Sequence, residues 1–163
     1  MARQLLVQSC SETKQESDSS LPAIERYDGY FYQIIKKARS EGKLDPSLDI
    51  CILSAEYGLV DKDEPIPYYD RRMDIERADE LRDDVLSALR QKMSEKDYDR
   101  VIINMGEVYQ RAITGIDDTV GPSVVYIQGG GIGQKGHILK QIIRVDADAK
   151  CEFSGHDNTT TAD

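Results

Sequence analysis

Short apolar runs and amphipathic stretches alternate along this chain, and their spacing predicts its elements. Residues 4–9, QLLVQS, are an apolar run that predicts a first strand. The Ser- and acid-rich stretch that begins at Ser9, SCSETKQESDSSLP, disfavours helix and strand interiors and reads as a long loop. From Gly29 to Glu41, Phe31, Ile34, Ile35 and Ala38 fall at helical spacing until Gly42 ends the pattern, which predicts an amphipathic helix. Ile50, Cys51, Ile52 and Leu53 run without a break, as in a strand buried on both faces. The stretch from 59 to 73, LVDKDEPIPYYDRRM, carries Pro65 and Pro67 and reads as an ordered surface loop. From Asp74 to about Lys96, Ile75, Ala78, Leu81, Val85, Leu86, Leu89 and Met93 repeat at three and four with no Gly or Pro, the strongest helical signal in the chain. RVIIN (100–104) then predicts a third strand, GEVYQRAITG (106–115) a short helix and SVVYIQ (123–128) a fourth strand. GIGQKGHILKQII (131–143) closes the series as a helix with Ile138, Leu139, Ile142 and Ile143 on its apolar face.

Alternating strands and helices predict an α/β fold: a single three-layer domain over residues 1–145, with a mainly parallel sheet of about four strands and helices on both faces. Residues 146–163 show little periodicity and read as a partly disordered C-terminal extension. In such sheets ligands bind outside the carboxyl ends of the strands. That rule gathers four segments on one rim: Cys10–Lys14, Ser54–Gly58, Asn104–Glu107 and Gln128–Gln134.

Composition narrows the functional classes. With 163 residues, 39% of them apolar, the chain suits one core, and 21 Lys+Arg against 30 Asp+Glu give a net charge of −9. That balance excludes broad attraction to a polyanion and leaves room only for local contact. No run approaches the roughly 18 apolar residues of a membrane span, and the N-terminus lacks the pattern of a signal peptide. Cys10, Cys51 and Cys151 are odd in number and far apart, which predicts no disulfide framework, no metal site and a reducing, cytoplasmic setting. No cofactor is implied.

Candidate chemistry sits on the predicted rim. Cys10 is a nucleophile or a small residue at a strand end, and a Cys–His pair requires His137 to reach it through folding. Lys14 offers a point charge, while Ser11, Ser54 and Asn104 offer polar groups. Glu56, Glu64 and Asp70 are candidate acids or bases or simply part of the acidic surface, and Tyr57, Tyr68 and Tyr69 can bond or stack on a planar ring. The cluster Tyr27, Tyr30, Phe31 and Tyr32 is expected to pack the first helix. In GGGIGQKG, Gly131, Gly133 and Gly136 satisfy GxGxxG, but far from a first βαβ unit. The turn through Gly129, Gly130, Gly131, Gly133 and Gln134 is an anion-binding backbone or a tight structural turn.

ILSAEYGLVDKDEPIPYYDRRM resembles the YaaA-like family, which includes the peroxide-stress protein YaaA and related short uncharacterised domains. Leu53, Ser54, Tyr57, Gly58, Tyr69 and Met73 fall on the family's pattern, Glu64 stands where an acid is usual, and Tyr68 replaces a proline. SCSETK is similar to the Ser-Pro-Ala-Lys signature of YaaA and, more weakly, to the Pro-Cys-x-x-x-Lys start of a domain of archaeosine synthase. Cys10 and Lys14 match the latter, but Ser9 replaces its proline and its following histidine is absent, so that reaction does not carry over. The resemblance implies a cytoplasmic α/β domain associated with nucleic acid or its bases.

Together these readings predict a domain that recognises a nucleobase, nucleotide or modified nucleic acid in a rim pocket, with a base- or nucleoside-processing reaction open. Cys10 and Glu56 are its catalytic candidates. Ser11, Lys14, Ser54, Tyr57, Gly58, Tyr69, Asp70, Asn104 and the glycine turn are its ligand-binding candidates. The alternatives are a noncatalytic DNA-binding stress module, with Lys36, Lys37 and Arg39 or Lys135 and Lys140 as its basic patch, and an interaction domain presenting the acidic helix 74–96.

Overall fold

The apolar run at the N-terminus becomes the centre of the sheet. A computed structural model describes residues 3–118 and 121–146. In chain order its elements are β1 (Gln4–Ser9), the two-residue strand β2 (Leu21–Pro22), α1 (Ala23–Arg26), α2 (Tyr30–Ser40), β3 (Leu48–Ser54) and β4 (Gly58–Asp61). There follow β5 (Pro65–Ile66), α3 (Ile75–Glu95), β6 (Arg100–Asn104), α4 (Glu107–Gln110), β7 (Ser123–Tyr126) and α5 (Ile132–Ile143). The main sheet has the order β4-β3-β1-β6-β7, parallel except for β4. Leu5, Leu6 and Val7 are wholly buried, because right-handed crossovers lay helices on both faces of β1. α2 packs beside α5 on one face, and α3 packs against α4 and the 3-10 turn at Arg111–Ile113 on the other.

The sheet has five strands rather than about four. The expected surface loop at 59–73 begins as β4, which turns back antiparallel on β3 with Ser54 opposite Gly58. Gly58 makes this reversal at φ +75°, a left-handed conformation that costs a residue with a Cβ about 1–2 kcal/mol. Further on, β5 pairs with β2, so the two long loops clasp each other. The expected helix at 106–115 divides into α4 and the 3-10 turn at Arg111–Ile113. The long helix matches its periodicity, burying Ala78, Leu81, Val85, Leu86, Leu89 and Met93, and Asp74 caps it by accepting the Arg77 N–H at 2.8 Å. Tyr27 and Tyr32 are buried in the core, while Tyr30 stays half exposed. Of the C-terminal extension, residues 147–163, including Cys151 and His156, lie outside the described residues. Among those described, no helix is long and apolar enough to cross a membrane.

Candidate functional site

The connection leaving β1 runs toward β3 and the one leaving β6 runs toward β7, so the two diverge between neighbouring strands. That is the topological switch point, where the sheet edge opens a crevice. A cavity of about 270 Å³ lies there. The loop after β1 contributes Cys10, Ser11, Glu12 and Lys14. Tyr109 of α4 forms another wall, and Asp70, Arg71 and Arg72 close it from the loop before α3.

Cys10 is fixed from two sides. Its N–H donates to Leu53 O at 3.0 Å, and its Sγ lies 3.2 Å from Tyr109 Oη, tying together the two diverging loops. Ser11 Oγ donates to Thr13 O at 2.7 Å and accepts the Gly29 N–H at 3.2 Å. A Cβ on Gly29 would lie 2.7 Å from Ser11 Cβ, so glycine is what allows the loop to sit against α2. Lys14 bridges to Tyr27 through its backbone and holds its Nζ 4.8 Å from the centre of the Tyr69 ring. Arg72 pairs with Glu12, and Arg71 with Glu56 at 3.4 Å, both at the exposed mouth.

Behind Lys14 stands a set of hydroxyls. Tyr27 Oη and Tyr69 Oη are 2.6 Å apart, and Ser54 Oγ donates to Tyr69 Oη at 3.1 Å. Ser54 Oγ also accepts the N–H groups of Glu56 and Tyr57, at 3.2 and 3.0 Å, which uses both its lone pairs. The set therefore holds three hydroxyl protons. One passes from Ser54 to Tyr69 and one lies between the two phenols, so the third has no acceptor within the set. Burial pushes Tyr27, Tyr69 and Tyr109 well above the usual phenol range, and a negative charge on Cys10 would raise them further. These phenols stay protonated at neutral pH and serve as donors.

Of the residues singled out from sequence, Cys10, Ser11, Lys14 and Asp70 line the cavity. Ser54 and Tyr69 form the hydroxyl set, and Tyr57 stands edge-on to Tyr69 with centroids 5.5 Å apart. Glu56 reaches only the mouth, and the fold carries the others elsewhere. The Glu56 carboxylate turns out to Arg71, Gly58 serves the β3–β4 hairpin, and buried Asn104 donates to Gln8 Oε1 at 2.9 Å inside the sheet. The turn of Gly129, Gly130, Gly131 and Gly133 closes on itself, the Gly130 N–H donating to Gln134 Oε1 at 2.8 Å, and it lines no part of this cavity. His137 bonds Gln141 on α5, so the partner of the Cys10 thiol is a phenol and not an imidazole. Sequence reasoning missed Arg71, Arg72 and Tyr109, and it placed Glu12 on the rim without singling it out. The Arg71–Arg72 pair, the chain's one adjacent pair of arginines, was the available signal.

No group of three or more His, Cys, Asp or Glu among the described residues is placed to hold a metal ion. The fold is shared with the crystal structure of AF0587, a protein of unknown function, at TM-score 0.53 and 16% identity over 90% of this chain. The match takes in 47% of that protein, so this chain spans about half its length. No curated protein matches the sequence. A family model covering residues 5–141, nearly the whole described structure, shows that the chain belongs to DUF6884, a family of unknown function.

Proposed function

We propose that the switch-point cavity is the ligand site and that it takes a nucleobase, nucleoside or nucleotide. The observation that carries this reading is the pairing of Cys10 with Tyr109 across the two diverging loops, beside Lys14 and a hydroxyl set with one proton to give. A polar group on the ligand would meet Tyr109 Oη and Cys10 Sγ on the cavity wall, Lys14 with Arg72 would meet phosphate, and the exposed Tyr57 ring, packed on Tyr69 outside the lining, would take a base that extends past the mouth. The volume, about 270 Å³, favours a single base or nucleoside over a polymer. Cys10 is the thiol that the cavity wall offers for covalent chemistry. The likeness of residues 52–73 to the YaaA-like proteins, and of the first loop to the archaeosine synthase domain, supports a ligand drawn from nucleic acid or its bases.

Mass spectrometry of the native protein for a copurified base or nucleotide, followed by calorimetry with a panel of both, tests the reading. A small ligand should persist at high salt, and Lys14→Ala or Tyr69→Phe should weaken it about tenfold, the scale of one lost charged or buried hydrogen bond. Unchanged affinity in both variants and in Arg72→Ala, each still folded, would remove the cavity from consideration. Salt-sensitive binding of DNA with no small ligand would instead favour a noncatalytic DNA-binding module.

A further inference from the structure

A second cavity, of about 320 Å³, lies away from the first, between α2 and α5. Both helices follow parallel strands, so they start at the same rim and run side by side down one face of the sheet. At the rim end they touch through Gly136, where a Cβ would lie 2.5 Å from the ring and hydroxyl of Tyr30. The groove runs down from this contact for about 10 Å, the length of the two helical turns from Tyr30 to Lys37. Lys37 stands on one wall, His137 and Lys140 on the other, and Arg144 at the far end.

The charges here are arranged unlike those beside them. Lys36 is tied to Asp28 at 3.1 Å and Arg39 to Glu25, while Arg144 is shared between Glu41 and Asp146. Lys37 and Lys140 make no ion pair with any described residue, yet they line one cavity from opposite walls. The fold has brought together one lysine from each of two basic patches about a hundred residues apart in the sequence. Glu41, one helical turn beyond Lys37, offsets part of that lysine's charge, and the two ammonium groups lining one groove together favour an anion between its walls.

We propose that this groove binds a phosphate group, held between Lys37 and Lys140, with the remainder of the ligand directed along the groove toward the exposed ring of Tyr30. Separate point charges on two walls suit the spread oxygens of a phosphate, whereas the guanidinium fork that would grip a planar carboxylate is already engaged by Glu41 and Asp146. The ligand is a phosphate ester, carried either on a free nucleotide or on a nucleic-acid strand. The proposal stands independently of what the switch-point cavity takes.

Amide NMR of the full chain, titrated separately with inorganic phosphate, a nucleoside monophosphate and a short single-stranded oligonucleotide, tests it. At least one probe should produce saturable shifts at Gly133, Gly136 and Lys140. The double variant Lys37→Gln/Lys140→Gln should lose at least tenfold in affinity, while Lys62→Gln/Lys135→Gln, with the same change in net charge, should not. The tightest probe then tells strand from free nucleotide. Shifts that never saturate, or equal weakening in the two double variants, would overturn the site and leave only diffuse attraction.

Discussion

Arg26 is wholly buried and makes no ion pair with any described carboxylate, an arrangement in which backbone carbonyls do the work of a counter-ion. Its guanidinium donates to the carbonyls of Gln15 and Ser19 at 2.6 Å each, and at longer range to those of Ser17 and Ile66, while Nε is buried without a partner. One side chain thus shapes the loop that carries Lys14. Arg26→Ala should destabilise the protein by about 3 kcal/mol in urea unfolding, the scale of a broken buried network, and should expose residues 15–20 to proteolysis. An unchanged midpoint would show that the carbonyls find other partners. The two described thiols divide in the same local way. Burial pushes the Cys51 thiol up to about 12, whereas Cys10 is half-buried at the cavity wall. Iodoacetamide at neutral pH should therefore label Cys10 and spare Cys51, as peptide mapping would show, and equal labelling of both would contradict the packing around β3. The burial of Cys51 was legible in sequence, because it lies in the unbroken apolar run of residues 50–53; the surroundings of Arg26 were not. Only the folded loop shows which carbonyls surround Arg26.

At the scale of elements, periodicity carried far where it had room. α3 was legible almost to the residue because seven apolar positions repeat along it, and its start was marked by Asp74. Asp74→Ala should cost about 1 kcal/mol in stability, with the loss visible as earlier exchange of the Arg77 amide; a neutral effect would mean another group takes over the cap. β4 was not legible, because four residues give alternation too little length and the prolines just beyond it argue for loop. β2 and β5 are shorter still and exist only as each other's partner. The rim rule placed the first loop and the one after β6 on the same side, but could not say that the segment Asp70–Arg72 would fold over them. The junction between β3 and the connector before β6 also has a pH signature. Burial raises the Asp49 carboxyl, but hydrogen bonds from Tyr98 at 2.6 Å and Lys96 at 2.9 Å outweigh it and hold the group below its usual 3.8. A carboxyl depressed in the folded state stabilises above its unfolded value, and that contribution is lost as pH falls through the folded one. Stability measured from pH 5 down to pH 2 should thus decline less in Asp49→Asn than in the parent. Parallel curves would remove Asp49 from the acid response.

Taken as a whole, the molecule sets its two cavities at either side of one contact. Ser11 lines the first and meets Gly29, and the next residue, Tyr30, lines the second. The acidic balance that argued against coating a polyanion is compatible with both, since each confines its cations to a small space. The order of the sheet has a further consequence, for the timing of synthesis. β1 leaves the ribosome before the strands that flank it and is destined for the centre, yet those two neighbours start 44 and 96 residues later, as Gln4 pairs with Leu48 and Arg100. While translation continues, Leu5, Leu6 and Val7 have no sheet to enter, and even the finished chain must close long loops before the centre is sealed. A segment that ends wholly buried is therefore the strand of this sheet that waits longest for its partners, and it is there that a chaperone would find a foothold.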